Sequence, residues 1–299
     1  MGSAPGSTRA TGHRVSELLD FVSRHRRLFV LTGAGISTDS GIPGYRDERG
    51  QWQRSPPTTL QAFLGSHAAR QRYWARSMLG WPMAAGAQPN ISHQVVAQLQ
   101  AHERLSGLVT QNVDGLHQRA GSRDVIELHG TLHGVVCLSC GTGYERAGIQ
   151  QWLWEQNAAL RDIIAAPLAD GDVQLESPLF ATFRVPVCAR CEGMLKPDVV
   201  FFGESVPAER VARARVALDQ SDALLVIGSS LTVRSGYRFC LWAHEAGTPI
   251  AALNLGVTRA DPLLSLKIEA PIGPSLAALA AGLGLAGDAV RLDGAAGET

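Results

Sequence analysis

Short apolar runs that stop abruptly at glycine or polar residues punctuate this chain. Residues 27–32 (RLFVLT) end at Gly33, and residues 107–110, 223–227 and 249–253 repeat the theme. Those three end at Gln111-Asn112, at Gly228-Ser229-Ser230 and at Asn254-Leu255-Gly256. Brief apolar runs without alternation read as strands buried on both faces. Between them the spacing turns helical. Leu18, Leu19, Phe21 and Val22 predict a helix over residues 16–27 capped by Ser16, and residues 92–104 and 207–220 read the same way. Strands alternating with helices predict an α/β domain with a doubly wound parallel sheet. Ligands of such sheets bind beyond the carboxyl ends of the strands, so the residues just after each run are the informative ones.

Two regions break the alternation. Residues 46–86, rich in Trp, Pro and Gln, read as a loop with short helices. Residues 137–191 are bracketed by cysteine pairs and hold AAPLADGDVQLE (165–176), which reads as an exposed loop. Residues 1–14 read as a disordered lead-in, and the Ala/Gly-rich stretch after Gly284 (285–299) as a flexible tail. No internal repeat is evident.

Composition narrows the function classes. Across 299 residues, 27 basic and 27 acidic side chains cancel, so nothing provides a global electrostatic grip on nucleic acid or a membrane surface. There is no apolar run long enough to span a bilayer. The N-terminus lacks the apolar core of a secretory signal, which predicts a cytoplasmic protein. Its acid-free stretch before Glu17, with Arg9 and Arg14, is a weak match to an organelle-targeting peptide. Gly2 does not open a myristoylation site, because position 6 is glycine. Only Lys196 and Lys267 are lysines among the basic residues, a bias expected of a GC-rich bacterial genome.

Four of the five cysteines form two CxxC pairs, Cys137/Cys140 and Cys188/Cys191. Two such knuckles supply four thiolates to one tetrahedral ion, which predicts a closed, structural Zn²⁺ site. Disulfides suit secreted chains, and a redox motif needs one pair rather than two. Residues 141–187 separate the pairs by more than a usual zinc ribbon, so the module carries an insertion. Cys240, in the apolar stretch FCLWA, reads as a core residue.

Residues 32–47 (TGAGISTDSGIPGYRD) place Gly33-x-Gly35 after a strand, as in a dinucleotide fingerprint, although Thr38 stands at the third glycine position. Glycines let backbone amides approach a pyrophosphate. Gln111-Asn112-Val113-Asp114 follows the second strand, and His129 in ELHG follows another. Either group alone is ordinary turn or core chemistry. Together they offer amides to orient a ribose and water, and an imidazole with a near-neutral pKa as a general base.

In this order GAGISTDSGIP, TQNVDGLH, ELHG, two CxxC pairs, LKPDVVFFGE and GSSLTV resemble the sirtuins, from about Val15 to about Leu283. RQRYWARSMLGWP, SGYRFC and the insertion between the cysteine pairs look most like class II sirtuins, the group with the mitochondrial lipoamidase-type member. The resemblance implies a catalytic domain over 15–284, a Rossmann-type large domain with a zinc module inserted at about 134–194. NAD would be consumed as a co-substrate between the two. Gly33, Ala34 and Gly35 would hold the pyrophosphate. Thr38, Asp39, Ile42, Pro43, Tyr45 and Arg46 would belong to the cofactor loop. Gln111, Asn112, Val113 and Asp114 would line the nicotinamide and ribose region, with Asn112 and Asp114 catalytic beside His129. Gly228, Ser229, Ser230, Val233, Asn254, Leu255 and Gly256 would hold the adenosine half, and Ile272 would cap the adenine. Val199, Val200, Phe201, Phe202 and Gly203 would present a strand edge to an acyl-lysine protein substrate.

The implied reaction has the acyl oxygen attack the ribose carbon as nicotinamide leaves, after which His129 takes a proton from a ribose hydroxyl. Deacylated lysine and O-acyl-ADP-ribose are the products. Tyr73-x-x-Arg76 resembles the pair that reads an acidic acyl carboxylate in desuccinylase-type sirtuins, the alternative being packing and surface roles. The expectation is thus a monomer favouring longer or carboxylated acyl chains over acetyl. Three rivals remain: mono-ADP-ribosyl transfer from the same NAD site, a non-catalytic NAD-binding scaffold, and a nicotinamide-dependent dehydrogenase. The last two are disfavoured by His129, Asn112 and Asp114, and by the broken third glycine.

Overall fold

The computed structural model describes residues 7–44, 58–161, 163, 172–173 and 175–285. Its strands are β1 (Leu28–Thr32), β2 (Leu105–Thr110), β3 (Ile126–Glu127), β4 (Gly130–Cys137), β5 (Gly143–Glu145), β6 (Leu195–Val199), β7 (Ala223–Ile227), β8 (Ile250–Leu253) and β9 (Leu266–Ile268). The helices are α1 (Ser7–Arg24), α2 (Leu60–Gly65), α3 (His67–Gly86), α4 (Ile91–Ala101), α5 (Leu116–Arg119), α6 (Arg146–Gln156), α7 (Ala208–Asp219), α8 (Arg234–Glu245) and α9 (Ile272–Gly282).

Six strands form a wholly parallel sheet in the order β3-β2-β1-β7-β8-β9. The unbroken apolar runs follow from burial on both faces: every residue of β1, β7 and β8 is buried. Side chains alternate across β1. Leu28 and Val30 join a cluster with Leu18 and Phe21 of α1, Val95 and Leu99 of α4, and Leu276 of α9. Phe29 and Leu31 join the opposite cluster, with Ala214 and Leu218 of α7 and Phe239 and Cys240 of α8. Cys240 is therefore a core residue. The chain order reverses between β1 and β7, and the crevice above that point is where a ligand of such a sheet is expected.

A second, antiparallel sheet has the order β5-β4-β6. The chain crosses from one sheet to the other through Leu128 and His129, between β3 and β4. Gly130 makes the crossing possible. Its φ is +83°, and a side chain there would run into the Asp198 carbonyl. This close approach pairs β4 with β6 and brings residues 199–203 beside His129.

Three expectations change. Helix α1 begins at Ser7, so residues 7–14 are helical rather than a disordered lead-in; residues 1–6 lie outside the described residues. Once its C-terminal half is anchored by Leu18, Phe21 and Val22, extension costs little per residue. It ends at Arg24 because the amides of Arg26 and Arg27 donate to Asp222 at 2.8 and 3.1 Å. Of the expected tail, Leu285 is buried, and the remainder lies outside the described residues.

The second change is α3, a 20-residue helix where short pieces were expected. Its buried positions, including Tyr73, Trp74, Ala75, Ser77, Met78 and Gly80, surround the axis instead of forming one stripe. Pro82 sits in its interior and removes the amide that would donate to the Met78 carbonyl. Gln150 of α6 supplies the missing donor at 2.7 Å. Replacing Gln150 by Leu leaves that carbonyl without a partner and is expected to cost about 1–3 kcal/mol. Urea unfolding tests this, and an unchanged midpoint and slope would refute it.

The third change concerns the segment expected as an exposed loop. Residues 165–171 and 174 lie outside the described residues; of the others, Asp172 and Val173 are buried, at 4% and 1% exposure, whereas Glu176 is exposed.

Candidate active site

The loops after β1 and β7 meet backbone to backbone. Gly33 N–H donates to Ile227 O at 3.0 Å and Gly35 N–H to Gly228 O at 2.8 Å. A Cβ on Gly35 would lie 2.8 Å from Gly228 Cα, and Gly228 itself has φ +64°. These glycines thus close two strand ends against each other, beyond any role toward a ligand.

Above them lies a cavity of about 1380 Å³. It is lined by Gly33, Ala34, Gly35, Thr38 and Asp39 from the first loop, and by Gln111, Asn112 and Val113 after β2. His129, Gly228, Ser229, Ser230, Val233, Asn254, Leu255 and Ile272 complete that part. The same cavity continues along Tyr73, Val199, Val200, Phe201, Phe202 and Gly203. Ile42, Pro43, Asp114, Gly256 and Arg76 do not line it, and Tyr45 and Arg46 lie outside the described residues.

Asp114 is the instructive displacement. It is 5% exposed, and its carboxylate accepts from Ser37 Oγ at 2.7 Å and from Leu116 N–H at 3.0 Å. Ser37 in turn accepts from Asn112 Nδ2 at 2.9 Å, and Asn112 also donates to Gly33 O at 3.2 Å. Asp114 therefore supports Asn112 through Ser37, one layer below the cavity. Ser37 was not singled out from the sequence, although it stands within GAGIS beside the glycines that were.

Two buried histidines, also missed, extend this layer. His93 Nδ1 accepts from Asn90 N–H at 3.3 Å and its Nε2 donates to Ser37 Oγ at 3.4 Å. His117 Nε2 donates to Thr32 Oγ1 at 2.9 Å, and Thr32 donates to Thr110. The rings of His93 and His117 meet edge to face at 5.0 Å. Burial lowers the pKa of His93 to about 4, against a smaller pull upward from Asp114. Burial, aided by His93, holds His117 well below its ordinary value.

Both rings are neutral at pH 7. Below about 6.5 the unfolded chain takes up protons that the folded chain refuses, so stability is complete above that pH and lost as it falls toward 4. For His93 the loss is on the order of 3 kcal/mol. Melting temperature should therefore fall steadily from pH 7 to pH 4.5, and a flat profile would contradict this.

His129 stands at the crossing between the sheets, half-buried. Its Nδ1 is 2.9 Å from Gln111 O, and a carbonyl only accepts, so Nδ1 carries the proton. Nε2 is then the basic nitrogen, and Ser235 Oγ donates to it at 2.7 Å. Burial lowers the His129 pKa against the Gln111 hydrogen bond, with Arg210 and Arg238 adding to the depression. The ring is a neutral base at pH 7 that faces a cavity. Gln111 is itself fixed by its Nε2, which donates to Ser229 Oγ at 2.7 Å.

Along residues 199–203, Val200 N–H donates to His129 O at 2.7 Å and Phe201 N–H to Glu204 at 2.8 Å. Phe202 O accepts from Leu60 N–H at 2.9 Å. The edge expected to receive a peptide is therefore already partly paired.

Arg76 is held elsewhere. Its guanidinium meets the Asp172 carboxylate through two nitrogens, at 3.0 and 2.9 Å, and donates to Val173 O at 2.7 Å. Tyr73 reaches the cavity without it. The carboxylate reader expected from Tyr73 and Arg76 is not assembled, because a buried acidic residue of the insertion occupies the arginine.

The four paired cysteines come together, with all Sγ atoms within 4.8 Å of one another. Cys137 and Cys191 are 3.5 Å apart and Cys140 and Cys188 3.7 Å. A tetrahedral ion with Zn–S of about 2.3 Å requires sulfurs about 3.8 Å apart, so the donor set fits one structural Zn²⁺. Tyr144 donates to Cys188 Sγ at 2.9 Å, a hydrogen bond that lowers the pKa of that thiol and favours the thiolate a metal needs. The cluster is remote from the cavity in chemistry, since none of the four cysteines lines it.

Comparison with known proteins agrees with this architecture. Residues 33–235 match the model of the Sir2 family. An NAD-dependent protein deacetylase of Xanthomonas campestris pv. campestris is 55% identical over 262 residues, covering 88% of this chain and 89% of that protein. NAD-dependent protein deacetylase 2 of Bradyrhizobium diazoefficiens is 52% identical, covering 88% of this chain and 96% of that protein. Among solved structures, one described as "Structural Basis for the Mechanism and Regulation of Sir2 Enzymes" superposes with a TM-score of 0.72 at 30% identity, over 91% of this chain and 98% of that one. Another, "Sir2-p53 peptide-NAD+", gives 0.70 at 27% identity, over 91% and 99%. From the two sheets, the four-cysteine cluster and these likenesses together, the chain belongs to the Sir2 family.

Proposed function

We propose that this protein removes acyl groups from lysine side chains of proteins, consuming NAD and releasing nicotinamide and O-acyl-ADP-ribose. The observation that carries the proposal is His129, held as a neutral base by the Gln111 carbonyl, on a cavity that also runs along residues 199–203. The reading is one catalytic unit over 15–284 with the zinc module, about 134–194, inserted.

NAD supplies a ribose carbon that becomes electrophilic as nicotinamide leaves. The protein's part is to hold and deprotonate. Gly33, Ala34 and Gly35 line the cavity, and the two glycines, whose own N–H groups are given to Ile227 O and Gly228 O, leave room beside Ala34 for the close approach of a pyrophosphate. Asn112, fixed through Ser37 and Asp114, presents its amide to the ribose region. Ser229, Ser230, Val233, Asn254, Leu255 and Ile272 form the wall assigned to the adenosine half. His129 Nε2 then accepts the ribose hydroxyl proton. Its depressed pKa keeps it ready at neutral pH and places the acid limb of kcat/KM below 6.5.

At the acyl end, Tyr73, Val113, Leu132, Val199 and Phe201 form an apolar wall. With Arg76 engaged by Asp172, uncharged acyl chains fit this site better than carboxylated ones. Acetyl, glutaryl and lipoyl peptides compared with NAD by mass spectrometry test this, and a clear glutaryl preference would overturn it. Among the described residues no helix is long and apolar enough to cross a membrane. A cytoplasmic monomer acting on protein substrates, without a nucleic-acid partner, completes the proposal. ADP-ribosyl transfer to protein is the alternative, and it predicts NAD turnover without any acyl-lysine peptide.

A further inference from the structure

We propose that Ser235 is a positioning residue for deacylation, its hydroxyl holding the basic Nε2 of His129 toward the cavity until the ribose hydroxyl takes its place. The inference rests on the function proposed above and concerns the same base.

Ser235 is the second residue of α8 and is 8% exposed, yet it lines the cavity together with His129. Its Oγ lies 2.7 Å from Nε2. With the Nδ1 proton committed to Gln111 O, only the serine hydroxyl can donate across that contact. Nε2 is thus fixed from the start of α8 and Nδ1 from the loop after β2. Gly236 follows Ser235, and a Cβ there would sit 2.5 Å from Gln111 Oε1, so α8 closes directly over the residue whose carbonyl holds Nδ1. The charged groups acting on the ring, Arg210 of α7 and Arg238 one turn further along α8, both oppose its protonation. The N-terminus of α8 acts in the same sense. An imidazole so held keeps one tautomer and one orientation, which is what a general base requires before its substrate arrives.

The proton step balances simply. The ribose O–H bond breaks and an Nε2–H bond forms, while the serine hydroxyl, displaced from the single Nε2 lone pair, turns away without gaining or losing a proton. Nicotinamide departure precedes this step and does not use the base. Ser235 should therefore matter to deacylation and not to the reversible cleavage before it.

Ser235→Ala and Ser235→Thr, assayed with saturating NAD and an acetyl-lysine peptide, separate these steps. Ser235→Ala is expected to lower kcat for deacylation on the order of tenfold, with KM for NAD little changed. Exchange of labelled nicotinamide into NAD should stay within about twofold of wild type, and Ser235→Thr should recover most of the deacylation. Wild-type deacylation by Ser235→Ala would overturn the inference. So would equal loss of exchange and deacylation, which marks a merely structural role. If wild type itself neither exchanges nor deacylates, it is the proposed function that fails.

Discussion

His129→Tyr is expected to abolish NAD-dependent deacylation while leaving the fold and the zinc content intact. Among the described residues that line the cavity, His129 is the one imidazole, and its two nitrogens are assigned by their partners, Gln111 O and Ser235 Oγ. A positioned general base contributes about 10²–10⁴ in rate, and a phenol with a pKa near 10 cannot replace it at pH 7. The ring is half-buried at a crossing between sheets that Gly130 and the β4–β6 pairing hold in place, so a planar replacement should be accommodated. A melting temperature within a few degrees of wild type, with kcat lowered by about 10³, is the expected pattern. Substantial residual deacylation would move the base elsewhere.

Loss of the metal should have the largest effect on stability. Cys137 and Cys188 belong to the same cluster as Leu153, Leu195 and Phe180, and as Tyr73, Trp74 and Met78 of α3. The thiolates therefore fasten the small sheet to the helix whose Tyr73 reaches the cavity. Zinc binding contributes about 10–16 kcal/mol to folding in isolated zinc-finger peptides, an upper bound here because apolar burial also holds this module. Cys137→Ser, or prolonged chelation, should release one zinc per chain, lower the melting temperature by well over ten degrees, and reduce activity without altering the protonation of His129. Metal content by mass spectrometry and thermal melts check this. An unchanged melt on complete zinc loss would refute the structural role.

The fold was largely legible because its information is local. A strand buried on both faces must be apolar throughout, and β1, β7 and β8 write that in consecutive letters. The polar residues that follow them stand out against those runs and name one part of the cavity wall, while residues 199–203, Tyr73 and Ile272 were expected only from the resemblance to the sirtuins. What stayed hidden depends on pairings distant in sequence. Helix α3 packs on several sides at once and so lacks a single stripe, and its proline is tolerated only because Gln150 completes the hydrogen bonding. Nothing in the motif TQNVD says that Asn112 reaches the cavity while Asp114 turns inward to Ser37. Likewise Tyr73-x-x-Arg76 has the spacing of a carboxylate reader, yet Asp172, almost a hundred residues away, decides what the arginine binds. The register between these segments is a property of the packed core, not of either sequence.

The function proposed here stands or falls on stoichiometry. Purified protein, an acetyl-lysine peptide and NAD, followed by mass spectrometry, should give one nicotinamide and one O-acetyl-ADP-ribose for each acetyl group lost, with no reaction when either NAD or the peptide's acetyl group is omitted. NAD turnover at the same rate with an unacylated peptide, or deacetylation without NAD, would contradict it.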